Sequence, residues 1–136
     1  MASPTDAAGI ADQSELREIL LDGRPVALTV KGYCMAPTLA DGQLITALRA
    51  REPHPGDVAL LEAGGVLEVH RLLDRVHARS GTWFIHSGDA PGSRPGVVDG
   101  RNVLGIVAAP PGGAVSLRAR LLGFALRVRV LVRLLW

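Results

Sequence analysis

Glycine and proline divide this chain into short segments, and this punctuation limits its possible folds more than any other feature. Sixteen glycines and nine prolines occur in 136 residues. Gly accepts positive φ and Pro presets the entry of a turn, so clusters of the two indicate tight turns between short strands. Such clusters are Pro55-Gly56, Gly64-Gly65, Ser80-Gly81 and Pro111-Gly112-Gly113. The chain is therefore expected to be mainly β.

One helix is predicted before the strands. It begins near Asp12, which has capping-box spacing to Glu15, and it ends at Asp22-Gly23. Its apolar face consists of Leu16, Ile19 and Leu20. The predicted strands cover residues 26–30, 44–48, 58–62, 66–76, 82–86 and 103–108. These elements predict a β-sheet or partial-barrel core with a short N-terminal helix.

Length and composition bound the organisation of the chain and its partners. The length suits a single domain, which we place at residues 12–113, after a disordered lead (1–11) and before a basic apolar C-terminal segment (114–136). A net charge of +2 and only five aromatic residues argue against a nucleic-acid partner. A single cysteine excludes an internal disulfide, and the N-terminus lacks the pattern of a secretory signal. A cytoplasmic protein is expected.

Two short stretches carry a candidate active site. Residues 32–42 read GYCMAPTLADG and residues 69–73 read VHRLL. The first resembles the nucleophile box of type I signal peptidases and of self-cleaving repressor domains, Gly-x-Ser-Met-x-Pro-Thr-Leu before an acidic-glycine turn, with Cys34 at the serine position. The second resembles the general-base strand of the histidine branch of that family, found in archaea and the endoplasmic reticulum. His70 stands at the base position.

The resemblance implies a signal-peptidase-like fold and a role for several residues of the box. Gly32, Met35 and Pro37 match the family motif, in which Met and Pro shape the turn that exposes the nucleophile. The nucleophile's own backbone N–H helps to form the oxyanion hole. Cys34 is thus expected to attack a peptide carbonyl while His70 accepts and returns the proton.

A third catalytic member follows from the same resemblance. Residues 85–89, IHSGD, resemble the family strand that ends in Gly-Asp, and Asp99 before residues 103–107, VLGIV, resembles its closing Asp and strand. A carboxylate bonded to the imidazole would fix its tautomer and stabilise the imidazolium. Either Asp89 or Asp99 could orient His70, and the resemblance leaves this choice open.

The residue types agree with a thiol and imidazole pair. A neighbouring imidazolium lowers the pKa of a thiol, so a reactive thiolate is expected near neutral pH. Lys31 is the only lysine and lies outside the base strand, which argues against a Ser/Lys-type dyad. No two histidines have the spacing of a metal site on one helix, so neither a metal nor another cofactor is expected.

We therefore predict a peptidase that cleaves a leader or precursor peptide by Cys/His(/Asp) nucleophilic catalysis. The peptide would bind in extended form along a sheet edge. The alternative is a non-catalytic peptide-binding module that kept the same fold.

The C-terminal segment has two interpretations. Residues 117–136 contain five arginines among Leu and Val, and their alternation mildly favours a strand packed on the core. The arginines argue against a spanning helix, since each costs about 2.5 kcal/mol or more at the centre of a bilayer. The alternative interpretation is peripheral docking on a partner or on the inner face of the membrane.

Overall fold

The computed structural model describes residues 13–108 and the backbone of Thr5–Asp6. The C-terminal segment and the rest of the N-terminal lead lie outside the described residues. Helix α1 spans Gln13–Leu21. The strands are β1 (Thr5–Asp6), β2 (Val26–Thr29), β3 (Leu44–Arg49), β4 (Val58–Ala63), β5 (Val66–Ala78), β6 (Gly81–Ser87), β7 (Gly96–Asp99) and β8 (Val103–Val107), with a 3₁₀ turn at Gly100–Asn102.

The strands form one curled sheet with the order β1-β2-β3-β8-β4-β5-β6-β7. Six of the seven pairings are antiparallel, and only β1 runs parallel to its neighbour β2. The antiparallel strands make a half-barrel, and one short helix accompanies them. The predicted mainly β fold with an N-terminal helix is confirmed.

The helix packs and ends as the sequence predicts. Leu16, Ile19 and Leu20 are buried and join the main core cluster. At the end of α1, Gly23 adopts a φ of 77°, which a residue with a side chain rarely adopts, and the N–H of Arg24 donates to the carbonyl of Ile19. The chain can then turn directly into β2.

Two strands were not predicted. Strand β7 has only Val97 and Val98 as apolar residues and follows a Gly- and Pro-rich turn, so its sequence pattern is too short to indicate a strand. Strand β1 lies in the lead that was expected to be disordered, and it pairs with Val26 and Ala27. Both strands are at the edges of the sheet.

Strand β5 is the element that positions the candidate site. Its first six residues pair with β4, whereas its second half, from Arg71 onward, pairs with β6. Arg71 pairs with both neighbours, and the β5–β6 ladder has a register shift just beyond it, between Leu72 and Asp74. Within the described part of the chain, residues 66–70 of β5 therefore have a strand neighbour on one side only.

No helix within residues 13–108 is both long and apolar enough to cross a membrane.

Candidate functional site

Cys34 lies on a compact loop between β2 and β3, residues 30–43, which we call the Cys34 loop. Two backbone hydrogen bonds close the loop at its base, from Val30 N–H to the Gln43 carbonyl and from Gly42 N–H to the Val30 carbonyl, at 2.9 and 2.8 Å. Gly32 has a φ of 87°, and its N–H donates to Asp41 Oδ1 at 2.8 Å. The acidic-glycine end of the motif therefore holds the segment that precedes the cysteine.

The residue after Cys34 anchors this loop. Met35 is fully buried in the main core cluster, while Cys34 itself is exposed and free. The Leu39 N–H donates to the Met35 carbonyl at 2.9 Å, and the peptide bond between Ala36 and Pro37 is cis. A buried methionine next to an exposed thiol gives the thiol a fixed position.

The far side of the Cys34 loop rests on the turn that follows β6. The Cys34 carbonyl accepts a hydrogen bond from Ala90 N–H at 3.0 Å. It also lies so close to the Cα of Gly88 that no Cβ would fit there. In the β5–β6 ladder Arg71 pairs with Ser87, so the antiparallel register, continued by one residue, places His70 opposite Gly88. The backbones of Cys34 and His70 therefore both lie near Gly88.

His70 belongs to a cluster with Glu68 and His86, which we call the Glu68–His70–His86 cluster. Nδ1 of His70 lies 2.9 Å from Nδ1 of His86 and 3.6 Å from Oε2 of Glu68. The two imidazole rings stack with their centroids 5.1 Å apart. A hydrogen bond between the two Nδ1 atoms requires that one ring donates and the other accepts.

Burial keeps both histidines of the cluster neutral. It lowers the pKa of His86 to about 4, with a smaller effect from the charge of His70. Burial also lowers the pKa of His70, although Glu68 and Asp89 oppose this shift. Near neutral pH each ring therefore has one N–H and one lone pair.

The electrostatics of Cys34 differ from the expectation of a thiolate. Burial and the charge of Glu68 raise the pKa of the Cys34 thiol above its ordinary value of 9.0, and a backbone hydrogen bond only partly opposes them. Within residues 13–108, no hydrogen bond joins Sγ of Cys34 to His70. Near neutral pH both the Cys34 thiol and the His70 imidazole are therefore uncharged.

Asp89 does not bind His70 directly. Its carboxylate accepts hydrogen bonds from Nε and Nη2 of Arg71 at 2.9 and 2.8 Å, and from Oγ1 of Thr38 at 2.6 Å. Arg71 also donates to the Gly56 carbonyl at 2.7 Å. Asp89 is buried, so it acts on His70 through its charge and ties β5 to the Cys34 loop through Arg71 and Thr38.

Asp99 lies elsewhere, at the end of β7. It pairs with Trp83 in the β6–β7 ladder, whereas His86 pairs with Gly96. Its carboxylate accepts hydrogen bonds from the backbone and side chain of Arg101, which lower its pKa. Asp99 also lines a cavity of about 480 Å³. Neither Cys34 nor His70 lines that cavity, so the candidate site lies outside it.

The sequence singled out Cys34 and His70 but missed the partner that His70 contacts most closely. His86 lies in the IHSGD stretch, in which the family resemblance points only to Asp89 and His86 itself has no motif. The signal that could have found it is the pairing of β5 with β6, which no local motif supplies. Side chains two residues apart on a strand share one face, in agreement with the 3.6 Å between His70 Nδ1 and Glu68 Oε2.

The comparisons with known proteins add no family assignment. No protein-family model matches the chain, and no curated protein matches it.

Proposed function

We propose that this protein is a cysteine peptidase that cleaves a leader or precursor peptide, with Cys34 as the nucleophile and His70 as the base. The observation that carries the proposal is the shared turn at Gly88. The Cys34 carbonyl packs on Gly88, and the β5–β6 register, continued by one residue, puts His70 opposite Gly88. This supports a thiol and an imidazole that act together, the two groups that nucleophilic peptide hydrolysis can use.

The protonation states favour attack assisted by the base. Both rings are neutral, so either Nδ1 can donate, and the proposed arrangement is the one in which His70 donates its Nδ1–H to the lone pair of His86 Nδ1. This tautomer leaves the lone pair of His70 on Nε2. As Sγ of Cys34 attacks the peptide carbonyl, Nε2 takes the thiol proton, in the same step in which the S–C bond forms.

The remaining steps follow from the same pair of residues. The tetrahedral intermediate collapses to a thioester, and His70 Nε2 returns its proton to the leaving amine as the C–N bond breaks. A water molecule then gives a proton to Nε2 and attacks the thioester, which releases the acid product and restores the Cys34 thiol. His86 acts through His70 and is a positioning residue.

An extended peptide has an available edge beside this site. Residues 66–70 of β5 pair only with β4 among the described strands, and this segment includes Glu68 and His70. A peptide could add as a strand here through main-chain hydrogen bonds. Tyr33 and Val66 are exposed apolar residues, 73% and 58% accessible, and would give apolar side chains of the peptide a surface to contact.

A mixture of synthetic peptides of varied sequence tests the proposal, because the mixture does not require that the substrate be identified. The full-length protein is incubated with the mixture in a chelating buffer, and new termini are counted by mass spectrometry. Wild type should produce defined cleavages. Cys34→Ala and His70→Asn should lower their rate by about a thousandfold or more. His77→Asn is the matched control, since His77 is exposed farther along β5. Equal cleavage by wild type and Cys34→Ala would end the proposal.

The second candidate function is a peptide-binding module without catalysis. The raised pKa of the Cys34 thiol and the missing hydrogen bond to His70 within the described chain favour it. In the same experiment this candidate predicts that wild type and Cys34→Ala retain the same peptides and release them uncut.

A further inference from the structure

We infer that Glu68, His70 and His86 form a binding site for one divalent transition-metal ion, and that zinc fits it. The three side chains come from two neighbouring strands, β5 and β6. Their ligand atoms all lie within 4.8 Å of one another. Glu68 and His70 alternate on one face of β5, and the β5–β6 pairing adds His86. The spacing of these three residues in the sequence does not by itself indicate a metal site.

The distances are close to those of a tetrahedral zinc site. Two nitrogen ligands about 2.05 Å from zinc would lie ~3.3 Å apart. Nδ1 of His70 is 2.9 Å from Nδ1 of His86 and 3.6 Å from Oε2 of Glu68. The two nitrogens need to separate by a few tenths of an ångström. The carboxylate of Glu68 lies within 4.8 Å of His86, so its oxygen needs to move toward His86 by up to about 1.5 Å to reach the ~3.3 Å spacing.

The donor set selects the class of ion. Two imidazoles and one carboxylate are ligands of zinc sites that keep a further position open. Calcium and magnesium prefer oxygen ligands throughout. The order of affinities for nitrogen and oxygen sites places zinc and cobalt above manganese and iron. Co²⁺ is coloured when bound, so it can be used in place of Zn²⁺ to observe the site.

The surroundings hold the ligand atoms in place and leave a path from solvent. The Nε2 and Cε1 atoms of His86 lie against the Cα of Gly96, where a Cβ would be only 2.8 Å from Nε2. The opposite side of that ring, with Nδ1, is therefore directed to His70. The side chains of His70 and Glu68 are 14% and 36% accessible. An ion could reach the site past these two residues.

Metal binding would also regulate the reaction, and this part rests on the proposed peptidase function. An ion between the two Nδ1 atoms replaces the hydrogen bond that keeps the lone pair of His70 on Nε2 for catalysis. With Nδ1 bound to the ion, the neutral ring carries its proton on Nε2, so His70 has no lone pair there to accept the thiol proton. Zinc should therefore inhibit peptide cleavage, and a chelator should restore it.

Direct metal binding tests the site independently of activity. The full-length protein, freed of metal, is titrated with Zn²⁺ against a chromophoric chelator and with Co²⁺ in the visible range. One ion per chain is expected, and zinc should raise the unfolding temperature. Glu68→Gln and His86→Asn should each weaken Zn²⁺ binding by about tenfold or more. His77→Asn should bind as wild type does.

Two outcomes would overturn the site: no stoichiometric binding by wild type, or unchanged binding by both Glu68→Gln and His86→Asn. If His86→Asn fails to fold, Glu68→Gln decides alone, because Glu68 lies at the surface. If the protein binds zinc but cleaves no peptide, the proposed function is wrong and the metal site is still supported. If it cleaves peptides without binding zinc, the reverse holds.

Discussion

Arg71 holds both carboxylate oxygens of Asp89, with Nε 2.9 Å from Oδ1 and Nη2 2.8 Å from Oδ2. Arg71 follows His70 on β5, and Asp89 precedes Ala90, whose N–H binds the Cys34 carbonyl. Thr38 of the Cys34 loop donates to the same carboxylate. This buried pair therefore sets the distance between the strand with His70 and the loop with Cys34.

Asp89→Asn should strongly destabilise the protein. Arg71 is only 7% accessible, and the substitution leaves its charge without a counterion in the interior. Breaking a buried ion pair in this way costs about 3–5 kcal/mol. The free energy of unfolding, measured with urea, should fall by that amount.

Asp99→Asn is the matched control for Asp89→Asn. It also removes a carboxylate bonded to an arginine, but the Arg101 side chain is 85% accessible, so water can solvate the released charge. The decrease in the free energy of unfolding should be much smaller than for Asp89→Asn. Similar losses in the two variants would contradict a structural role for the buried pair.

The sequence predicts those parts of this protein that local patterns determine. Helix α1 follows from its capping and stop residues, and the six predicted strands occur in the structure within one or two residues of their bounds. Strand β7 could not be predicted, since its pairing with β6 supplies what its own short sequence lacks.

The sequence likewise indicates some residues of the candidate site but not the contacts that they make. Cys34 and His70 carry motif signals, and the backbones of both lie near Gly88. The partners of His70 depend on cross-strand register and on burial, and neither is visible in a single sequence. Asp89 binds Arg71, Asp99 binds Arg101, and His86 lies at the Nδ1 atom of His70. The orienting role predicted for either aspartate stays a prediction.

Glu68→Gln should make the Cys34 thiol more reactive. The negative charge of Glu68 raises the pKa of that thiol, so its removal should lower the midpoint of the pH profile for alkylation by iodoacetamide. At a fixed pH near 8 the variant should react severalfold faster, because a larger fraction is thiolate. The rates are followed by intact mass in chelating buffer.

Glu62→Gln serves as the control for that measurement. Glu62 is paired with Arg17 at 3.3 Å and has no effect on the pKa of Cys34. Its alkylation profile should match that of wild type. A Glu68→Gln profile at the wild-type midpoint or above it would contradict the electrostatic account of the site.

Gly88→Ala should disturb Cys34 specifically. An added Cβ would collide with the carbonyl of Cys34, and this backbone atom cannot move without the Cys34 loop. We expect lower stability and a changed rate of Cys34 alkylation. Gly100→Ala is the control, since its Cβ would lie 2.9 Å from the Thr82 carbonyl, on strand β6 far from the Cys34 loop. It should lower stability and leave the alkylation rate unchanged once corrected for the unfolded fraction.

The stability of the metal-free protein should fall as the pH drops from 6.5 toward 4. The pKa of His86 is 6.5 in the unfolded chain and about 4 in the folded protein, so the unfolded state binds more protons in this window. The contribution of His86 to the free energy of unfolding is complete above pH 6.5 and amounts to roughly 3 kcal/mol at most. His86→Asn should show a shallower decline in urea unfolding between these pH values. An equally steep decline in the variant would assign the effect to other groups.

The C-terminal segment should bind anionic membranes if it docks there as proposed from its sequence. Each arginine near an anionic surface contributes about 1 kcal/mol, so binding to vesicles should increase with the fraction of anionic lipid and weaken with salt. The control is a chain that ends after Gly113. Strand β8 ends at Val107 and pairs with β3 and β4, so the shorter chain keeps every described element. It should lose vesicle binding, unfold cooperatively and retain the alkylation rate of Cys34. If the shorter chain is unfolded, the segment belongs to the core, and the membrane proposal gives way to a strand packed on the sheet.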